Sequence, residues 1–192
     1  MREEVKIRLL QNILREVTNK YDYFILHQEE ILKETFEKAI RDPLTGLYNR
    51  SFLMERLQSL ISKAKRKETE LKLVFLDLNN FKQVNDIYGH EEGDKVLKGV
   101  ANIIKNSFRE YDLVARYGGD EFVVVLEENN DDINISQIVE RINKNIKKLF
   151  EKYKISVSFG YASSNETLDI EELIALADGR MYQNKNKMKE KM

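Results

Sequence analysis

The sequence predicts an α/β fold of the α+β kind, in which helices cover a mixed, largely antiparallel sheet and one long helix precedes it. Residues 2–40 contain no Gly or Pro and space apolar side chains by three and four, as in a helix. The run 71–77 is almost continuously apolar, which is typical of a strand buried on both faces. Two apolar runs, 112–115 and 123–126, flank a Gly-Gly pair at 118–119. We expect this pair to form a tight hairpin turn, because glycine adopts positive φ without steric cost.

Composition excludes several classes of protein. The 192 residues suit one domain plus an appendage, and a net charge of -1 gives no basic field for nucleic acid. Cysteine is absent, which excludes disulfides and thiolate metal sites, and two histidines are too few for a histidine-rich zinc site. No apolar run reaches the length of a membrane span, and the N-terminus lacks a signal-peptide core. We therefore expect a soluble, cytoplasmic chain with no nucleic-acid partner.

The N-terminal helix carries a stripe of apolar and aromatic residues: Ile7, Leu10, Leu14, Val17, Tyr21, Phe24 and Ile31. A second stripe takes over towards its end: Leu32, Phe36 and Ala39. Alternating steps of three and four are the seam of a coiled coil, so we predict a helix that pairs with a copy of itself. A helix folded back on its own domain is the alternative. Pro43 breaks the helix, so the predicted units are a signalling and dimerisation helix, 1–41, and a domain, 42–190.

The remaining pattern alternates helices and strands. It predicts helices at 50–67, 90–108, 131–150 and 168–183, a loop or short helix at 78–88, and a strand at 155–161. The expected core face of the 131–150 helix is Ile138, Val139, Ile142, Ile146 and Leu149. Strict alternation in 155–161 predicts a strand with one polar face. Asp77 closes the buried strand, where a carboxylate either faces a ligand or caps the next turn.

Two acids, Asp120 and Glu121, directly follow the Gly-Gly pair. Backbone without side chains lets an anionic ligand approach closely, and carboxylates offer hard oxygens to a divalent cation. The pattern therefore indicates a metal–phosphate site. The alternative is a hairpin whose acids only keep an exposed edge soluble.

Five motifs in order resemble the GGDEF domain, the diguanylate cyclase family. They are DPLTGLYNR at 42–50, DLNNFKQVND at 77–86, GHEEGD at 89–94, RYGGDEF at 116–122 and ADGRMYQNK at 177–185. The resemblance covers about 42–189 and implies a fold similar to the nucleotide cyclase and polymerase palm. The implied reaction condenses two GTP into cyclic di-GMP and releases two pyrophosphates.

The resemblance also implies a metal centre. Asp77 and Asp120 match metal ligands, and the Leu78 carbonyl matches a backbone ligand. Glu121 matches the catalytic acid, which either binds metal or accepts the proton of the attacking 3′-hydroxyl. The implied ions are Mg²⁺ or Mn²⁺, two at each GTP site, and all-oxygen ligands suit them.

The substrate-binding positions implied by the family are Phe81, Lys82, Asn85, Asp94, Gly118, Gly119, Lys185 and Lys189. The Asp94 carboxylate can accept hydrogen bonds from guanine N1–H and the 2-amino group, whereas adenine offers an acceptor at N1. The alternative explanation for Asp94 is structural: an acid near the N-terminus of a helix is favoured by the helix dipole. The Asn85 amide bonds guanine, and Lys82 and Lys185 match phosphate-binding lysines. The chain departs from the family after Lys185, where Met188-Lys189 replaces the usual Gly-Arg. Asn79 also replaces a frequent acid.

Arg109 and Asp112 match the RxxD site, where cyclic di-GMP is expected to act as a feedback inhibitor. A surface ion pair is the alternative. The implied enzyme is a homodimer paired through its N-terminal helix and controlled by an upstream sensory domain or partner. Two other functions fit the sequence: a catalytically silent sensor that binds GTP or cyclic di-GMP, and a structural dimerisation module.

Overall fold

The computed structural model describes residues 2–127 and 134–189, except the side chains of residues 188 and 189. The chain forms two compact units, residues 1–40 and residues 41–192. The first unit is a single helix, α1 (Arg2–Ile40), as predicted, and none of its described residues is buried. No helix in the described part of the chain is long and apolar enough to cross a membrane.

The second unit is built on a four-stranded sheet. Its strands are β1 (Leu71–Asn79), β2 (Leu113–Arg116), β3 (Glu121–Glu127) and β4 (Ser156–Ser163), in the order β2-β3-β1-β4. All three strand pairs are antiparallel. Among the described residues, the only parallel pairing is an isolated bridge between Tyr48 and Ala115. The prediction of a largely antiparallel sheet is confirmed.

In the described part of the domain, five further helices cover the two faces of the sheet. They are α2 (Arg50–Lys67), α3 (Phe81–Tyr88), α4 (His90–Lys105), α5 (Ile135–Leu149) and α6 (Ile170–Lys189), with a 3₁₀ turn at Glu151–Tyr153. One hydrophobic core lies between the sheet and α3, α4 and α5, and the other between the sheet and α2 and α6. Because β1 is central, its side chains enter both cores, which explains its continuous apolar sequence.

Helix α4 ends at Lys105, three residues before the predicted Phe108. The predicted start of the following helix, residues 131–133, lies outside the described residues. The prediction that Leu149 lies on the core face was wrong, because this side chain is exposed at the last residue of α5. The next residue, Phe150, packs there instead, and a Cβ on Gly99 of α4 would lie 2.3 Å from its ring.

Two of the three residues on the predicted polar face of β4, Ser158 and Gly160, are buried. Ser158 is fully buried, and a Cβ on Gly160 would lie 2.2 Å from the backbone carbonyl oxygen of Ala177 in α6. The alternation in the sequence was recognised correctly, but the small residues mark a close approach of helix to strand rather than a solvated surface.

Candidate active site

The site is formed where β1 ends and β3 begins. In the antiparallel register, Asp77 is paired with Glu121. The Leu78 N–H donates to the Asp120 carbonyl at 3.1 Å. The connection between β2 and β3 is only four residues long, 117–120, so its acids cannot lie far from the end of the central strand. Residues distant in sequence, 77 and 120–121, are therefore adjacent in the fold.

The Gly-Gly turn does not have the predicted conformation. Positive φ occurs at Gly46 and Gly89 among the described glycines, but not at Gly118 or Gly119. A side chain at 118 would meet a different neighbour, because a Cβ there would lie 2.5 Å from Oε2 of Glu121 and that carboxylate would have to move. Gly119 has no such neighbour within 4 Å, so this part of the turn has room for a ligand.

Arg116 joins the turn to the start of the domain. Its Nη1 donates to both carboxylate oxygens of Asp42 at 3.1 and 3.2 Å, and its Nη2 donates to the Gly119 carbonyl at 2.8 Å. Its Nε reaches the Gly118 carbonyl at 3.2 Å. Burial raises the pKa of Asp42, but bonds from Thr45 and Arg116 outweigh it and hold the pKa below its usual value. These fixed contacts restrain the glycine turn just before the acids.

Asp77, Asp120 and Glu121 lie close enough for their negative charges to repel one another. Burial raises the pKa of Asp120, and the charge of Asp77 raises it further. Burial also raises the pKa of Glu121, followed by the charges of Asp120 and Asp77. Lys185 of α6 contacts one of them, because its Nζ lies against Oδ1 of Asp77. A further cation at this position would therefore be stabilised by carboxylates that repel one another.

The donor set fits a cation that takes part of its coordination from a substrate. Among the described residues, no group of three or more His, Cys, Asp and Glu is placed to hold a metal by itself. Mg²⁺ is typically held by one or two carboxylates together with phosphate oxygens and water. Asp77, Asp120 and the backbone of Leu78 meet that requirement, so the residues present fit such an ion.

The predicted base-recognition residues lie on α3 and α4. Asn85 faces Gly93, where a Cβ would lie 1.9 Å from its Oδ1, and this close approach joins the two helices. Asp94 follows Gly93 and is exposed. Phe81 is buried in the core, and the tip of its ring would lie 3.4 Å from a Cβ on Gly93. Lys82 is exposed on α3.

A cluster that sequence reasoning missed holds the first turn of α4. Glu92 accepts hydrogen bonds from Lys95 at 2.8 Å, from the Tyr153 hydroxyl, and from Lys152 at 3.2 Å. These bonds lower the pKa of Glu92 to about 2. Tyr88 packs edge-on against Tyr153, with ring centroids 5.0 Å apart. The pattern Glu-x-x-Lys was visible in the sequence, but the tyrosine comes from 61 residues further along the chain.

Asn79 and Met188-Lys189 are the positions that depart from the family pattern. Asn79 donates to the hydroxyls of Ser156 and Ser158 of β4, both at 2.9 Å, so this neutral residue ties β1 to β4. The backbone of Lys189 ends α6, and its side chain lies outside the described residues.

The RxxD residues lie at a second location. A cleft of about 540 Å³ is lined by ten residues including Arg41, Tyr48, Arg109 and Asp112. The Asp112 carboxylate accepts from the backbone N–H of Arg109 at 2.8 Å, and the Arg109 guanidinium donates to the Tyr111 hydroxyl at 2.5 Å. Burial raises the pKa of Asp112, although the bond from the Arg109 backbone N–H and the positive charge of Arg109 oppose the increase. The guanidinium is thus held by an exposed tyrosine beside the cleft.

Residues 39–191 match the family model described as diguanylate cyclase, GGDEF domain. The chain belongs to the GGDEF family. It is 39% identical over 155 residues to diguanylate cyclase DgcS of Shewanella oneidensis, which covers 80% of this chain and 52% of that protein. It is 36% identical over 163 residues to diguanylate cyclase DosC of Escherichia coli, which covers 79% of this chain and 35% of that protein. The chain thus spans about half of the first relative and about a third of the second.

Solved structures of GGDEF proteins have the same fold. Diguanylate cyclase SiaD of Pseudomonas aeruginosa, solved with its activator SiaC, matches with a TM-score of 0.72 and 30% identity over 97% of this chain and 72% of that chain. The coiled coil and GGDEF domain of DgcB from Caulobacter crescentus, solved with c-di-GMP, match with a TM-score of 0.75 at 24% identity, over 91% of this chain and 95% of that chain. The second match supports the fold alone.

Proposed function

We propose that this GGDEF chain is a diguanylate cyclase that condenses two GTP into cyclic di-GMP and two pyrophosphates. The observation that carries the proposal is the pairing of Asp77 with Glu121, with the Asp120 carbonyl bonded to the Leu78 N–H. This arrangement gathers hard oxygens beside a glycine turn with room for phosphate. Identity to named diguanylate cyclases over four-fifths of the chain supports the same activity.

In each half-reaction, the 3′-hydroxyl of one GTP attacks the α-phosphate of the opposing GTP. The new bond joins O3′ to phosphorus, and the bond from the α-phosphorus to the bridging oxygen breaks to release pyrophosphate. Glu121 has a raised pKa and lies against the turn, which suits it to hold the hydroxyl proton. Its alternative role is to bind metal beside Asp77 and Asp120. Bound Mg²⁺ or Mn²⁺ would neutralise phosphate charge and make the hydroxyl more nucleophilic.

The base and phosphates of GTP are assigned to residues around this centre. The exposed Asp94 carboxylate accepts from guanine N1–H and the 2-amino group, and Asn85 bonds the opposite edge of the base. Lys82, Lys185 and Lys189 supply positive charge to the triphosphate. Adenine is rejected because its N1 is an acceptor, so neither N1 nor the Asp94 carboxylate can donate a hydrogen bond to the other.

Catalysis requires two domains, because each presents one GTP. We assign the pairing to α1, whose exposed apolar stripe would be buried against the same stripe of a second copy. A signal from an upstream domain or partner protein that changes the register of this pairing would change activity. The structure of SiaD, solved with its activator SiaC, supports control of this chain by a partner protein.

Product inhibition is assigned to Arg109 and Asp112. The cleft beside them is about 540 Å³, and the guanidinium can bond O6 and N7 of guanine. The GGDEF domain of Caulobacter crescentus DgcB, solved with c-di-GMP, is 28% identical with a TM-score of 0.69, which supports binding of this product by the fold.

The direct test is incubation of the purified chain with GTP and Mg²⁺, followed by mass spectrometry of the products. We expect cyclic di-GMP from the wild type and a loss of at least about 100-fold in Glu121→Gln, as for removal of an acid–base group. The control is Glu127→Gln at the other end of β3, where the side chain pairs with Lys63 far from the turn. Absence of product from folded, dimeric wild type would refute the cyclase and leave the sensor.

A further inference from the structure

One lysine contacts a carboxylate that the proposed function assigns to a metal ion. Lys185 Nζ lies against Oδ1 of Asp77, and the two side chains are only 22% and 12% exposed. The pair joins residues 108 positions apart in sequence, on α6 and β1. The proposed function gives Lys185 to the triphosphate and Asp77 to the cation, so this contact is not explained by either role alone.

We propose that Lys185 and the divalent cation compete for Asp77, and that the GTP triphosphate ends this competition by drawing the ammonium away. The inference rests on the proposed function and deepens it. It makes binding of the cation and of the nucleotide cooperative: each weakens the Lys185–Asp77 contact that opposes the other. Free Mg²⁺ then binds weakly, and the metal–nucleotide complex binds well.

The physical reason is electrostatic. An ammonium on Oδ1 occupies a lone pair that a cation needs, and it places a positive charge within a few ångströms of the incoming ion. Both side chains are largely shielded from water, so this repulsion is weakly screened. A triphosphate offers several negative charges, and the flexible lysine stem lets the ammonium move to them.

Lys82 provides the matched comparison. Like Lys185 it is assigned to phosphate, but it lies exposed on α3, on the opposite side of the sheet from α6. If Lys185 were only a second phosphate lysine, Lys185→Met and Lys82→Met would both weaken nucleotide binding and leave binding of the free cation unchanged. Competition predicts that only Lys185→Met strengthens binding of the free cation.

The experiment measures Mn²⁺ binding by electron paramagnetic resonance, with and without the α,β-methylene analogue of GTP, whose α–β bond is not cleaved. We expect Lys185→Met to bind Mn²⁺ alone at least about tenfold more tightly than the wild type, and Lys82→Met to stay within about twofold. Lys185→Arg keeps the charge and should stay near the wild type. The analogue should tighten Mn²⁺ binding in the wild type by a larger factor than in Lys185→Met.

Circular dichroism of each variant establishes that the fold is retained. Unchanged or weaker Mn²⁺ binding by folded Lys185→Met overturns the competition, and so does equal strengthening in Lys82→Met, which would mark a general charge effect. If Mn²⁺ binds the wild type cooperatively with the analogue but its affinity does not change in the Lys185 variants, this inference is overturned and the proposed function remains intact. Wild type that binds no Mn²⁺ even with the analogue overturns both.

Discussion

Replacing Arg116 with methionine should destabilise the domain and impair the glycine turn together. The guanidinium donates to Asp42 and to the carbonyls of Gly118 and Gly119, which no other side chain of similar length could do at once. Methionine keeps much of the apolar stem but removes every donor. The Asp42 carboxylate then keeps only the bonds from the backbone N–H and hydroxyl of Thr45, at 2.8 and 2.6 Å.

The size of the effect follows from burial. Arg116 and Asp42 side chains are 16% and 17% exposed, so the pair lies closer to the buried than to the surface case. Breaking a buried pair by removing one partner costs about 3–5 kcal/mol, and the remaining Thr45 bonds favour the lower value. A loss of about 3 kcal/mol lowers the unfolding temperature of a domain of this size by about 6–12 °C. Loosening of the turn should also lower GTP turnover by at least about tenfold.

The assay is thermal and urea unfolding of Arg116→Met, Asp42→Asn and the double variant. The double-mutant cycle should give a coupling free energy of at least about 1 kcal/mol, because the two groups contact directly. Arg180→Met is the matched control: its carboxylate partner is Glu166, both side chains are more than twice as exposed, at 42% and 37%, and the loss should stay below about 1 kcal/mol. If Arg116→Met unfolds within about 0.5 kcal/mol of the wild type, the buried pair is not what restrains the turn.

Three further outcomes are expected. Gly118→Ala should reduce turnover far more than stability, because its Cβ would lie 2.5 Å from a Glu121 oxygen and displace that carboxylate; the ratio of the two effects is read from kinetics and urea unfolding. The pKa of Glu166 is lowered to about 2 by the guanidinium beside it, so its stabilising contribution is complete above about pH 4.5 and disappears as pH falls towards 2; unfolding of wild type and Glu166→Gln should converge over that range. Gly160→Ala should destabilise the domain by several kcal/mol through contact with backbone, whereas Gly179→Ala, open within a helix, should stabilise it by about 0.5–1 kcal/mol, both measured by urea unfolding.

Local patterns predicted the positions of the elements because burial imposes a period on the sequence. The apolar run that begins at Leu71 became the central strand, and α2 occupies the predicted 50–67. The predicted conformation of the Gly118-Gly119 turn was wrong, because glycine permits positive φ without requiring it. A Cβ on Gly118 would instead approach the carboxylate of Glu121, three residues further along, and that approach depends on the three-dimensional course of the turn.

Contacts between residues far apart in sequence could not be predicted from local patterns either. Only the resemblance of the sequence motifs to the GGDEF family predicted that Asp77 and Glu121 lie close together, because no periodicity relates positions on different strands. The contact between Asp77 and Lys185, and the one between Glu92 and Tyr153, each join separate elements. The first depends on how closely α6 packs on the sheet, and the second on where the 3₁₀ turn meets α4; the single sequence specifies neither.

The packing of α6 on β4 links Gly160 of β4 to the acidic site. Ala177, Met181 and Lys185 recur at intervals of four and lie on one face of α6. The first two approach Gly160 so closely that a Cβ there would lie 2.2 Å from their backbone atoms, and the third meets Asp77 one turn further along. A helix held further from the sheet would carry its ammonium away from the carboxylate. The absence of a side chain at residue 160 therefore sets the position of a charge beside the acids, and Gly160→Ala should strengthen Mn²⁺ binding in the same direction as Lys185→Met.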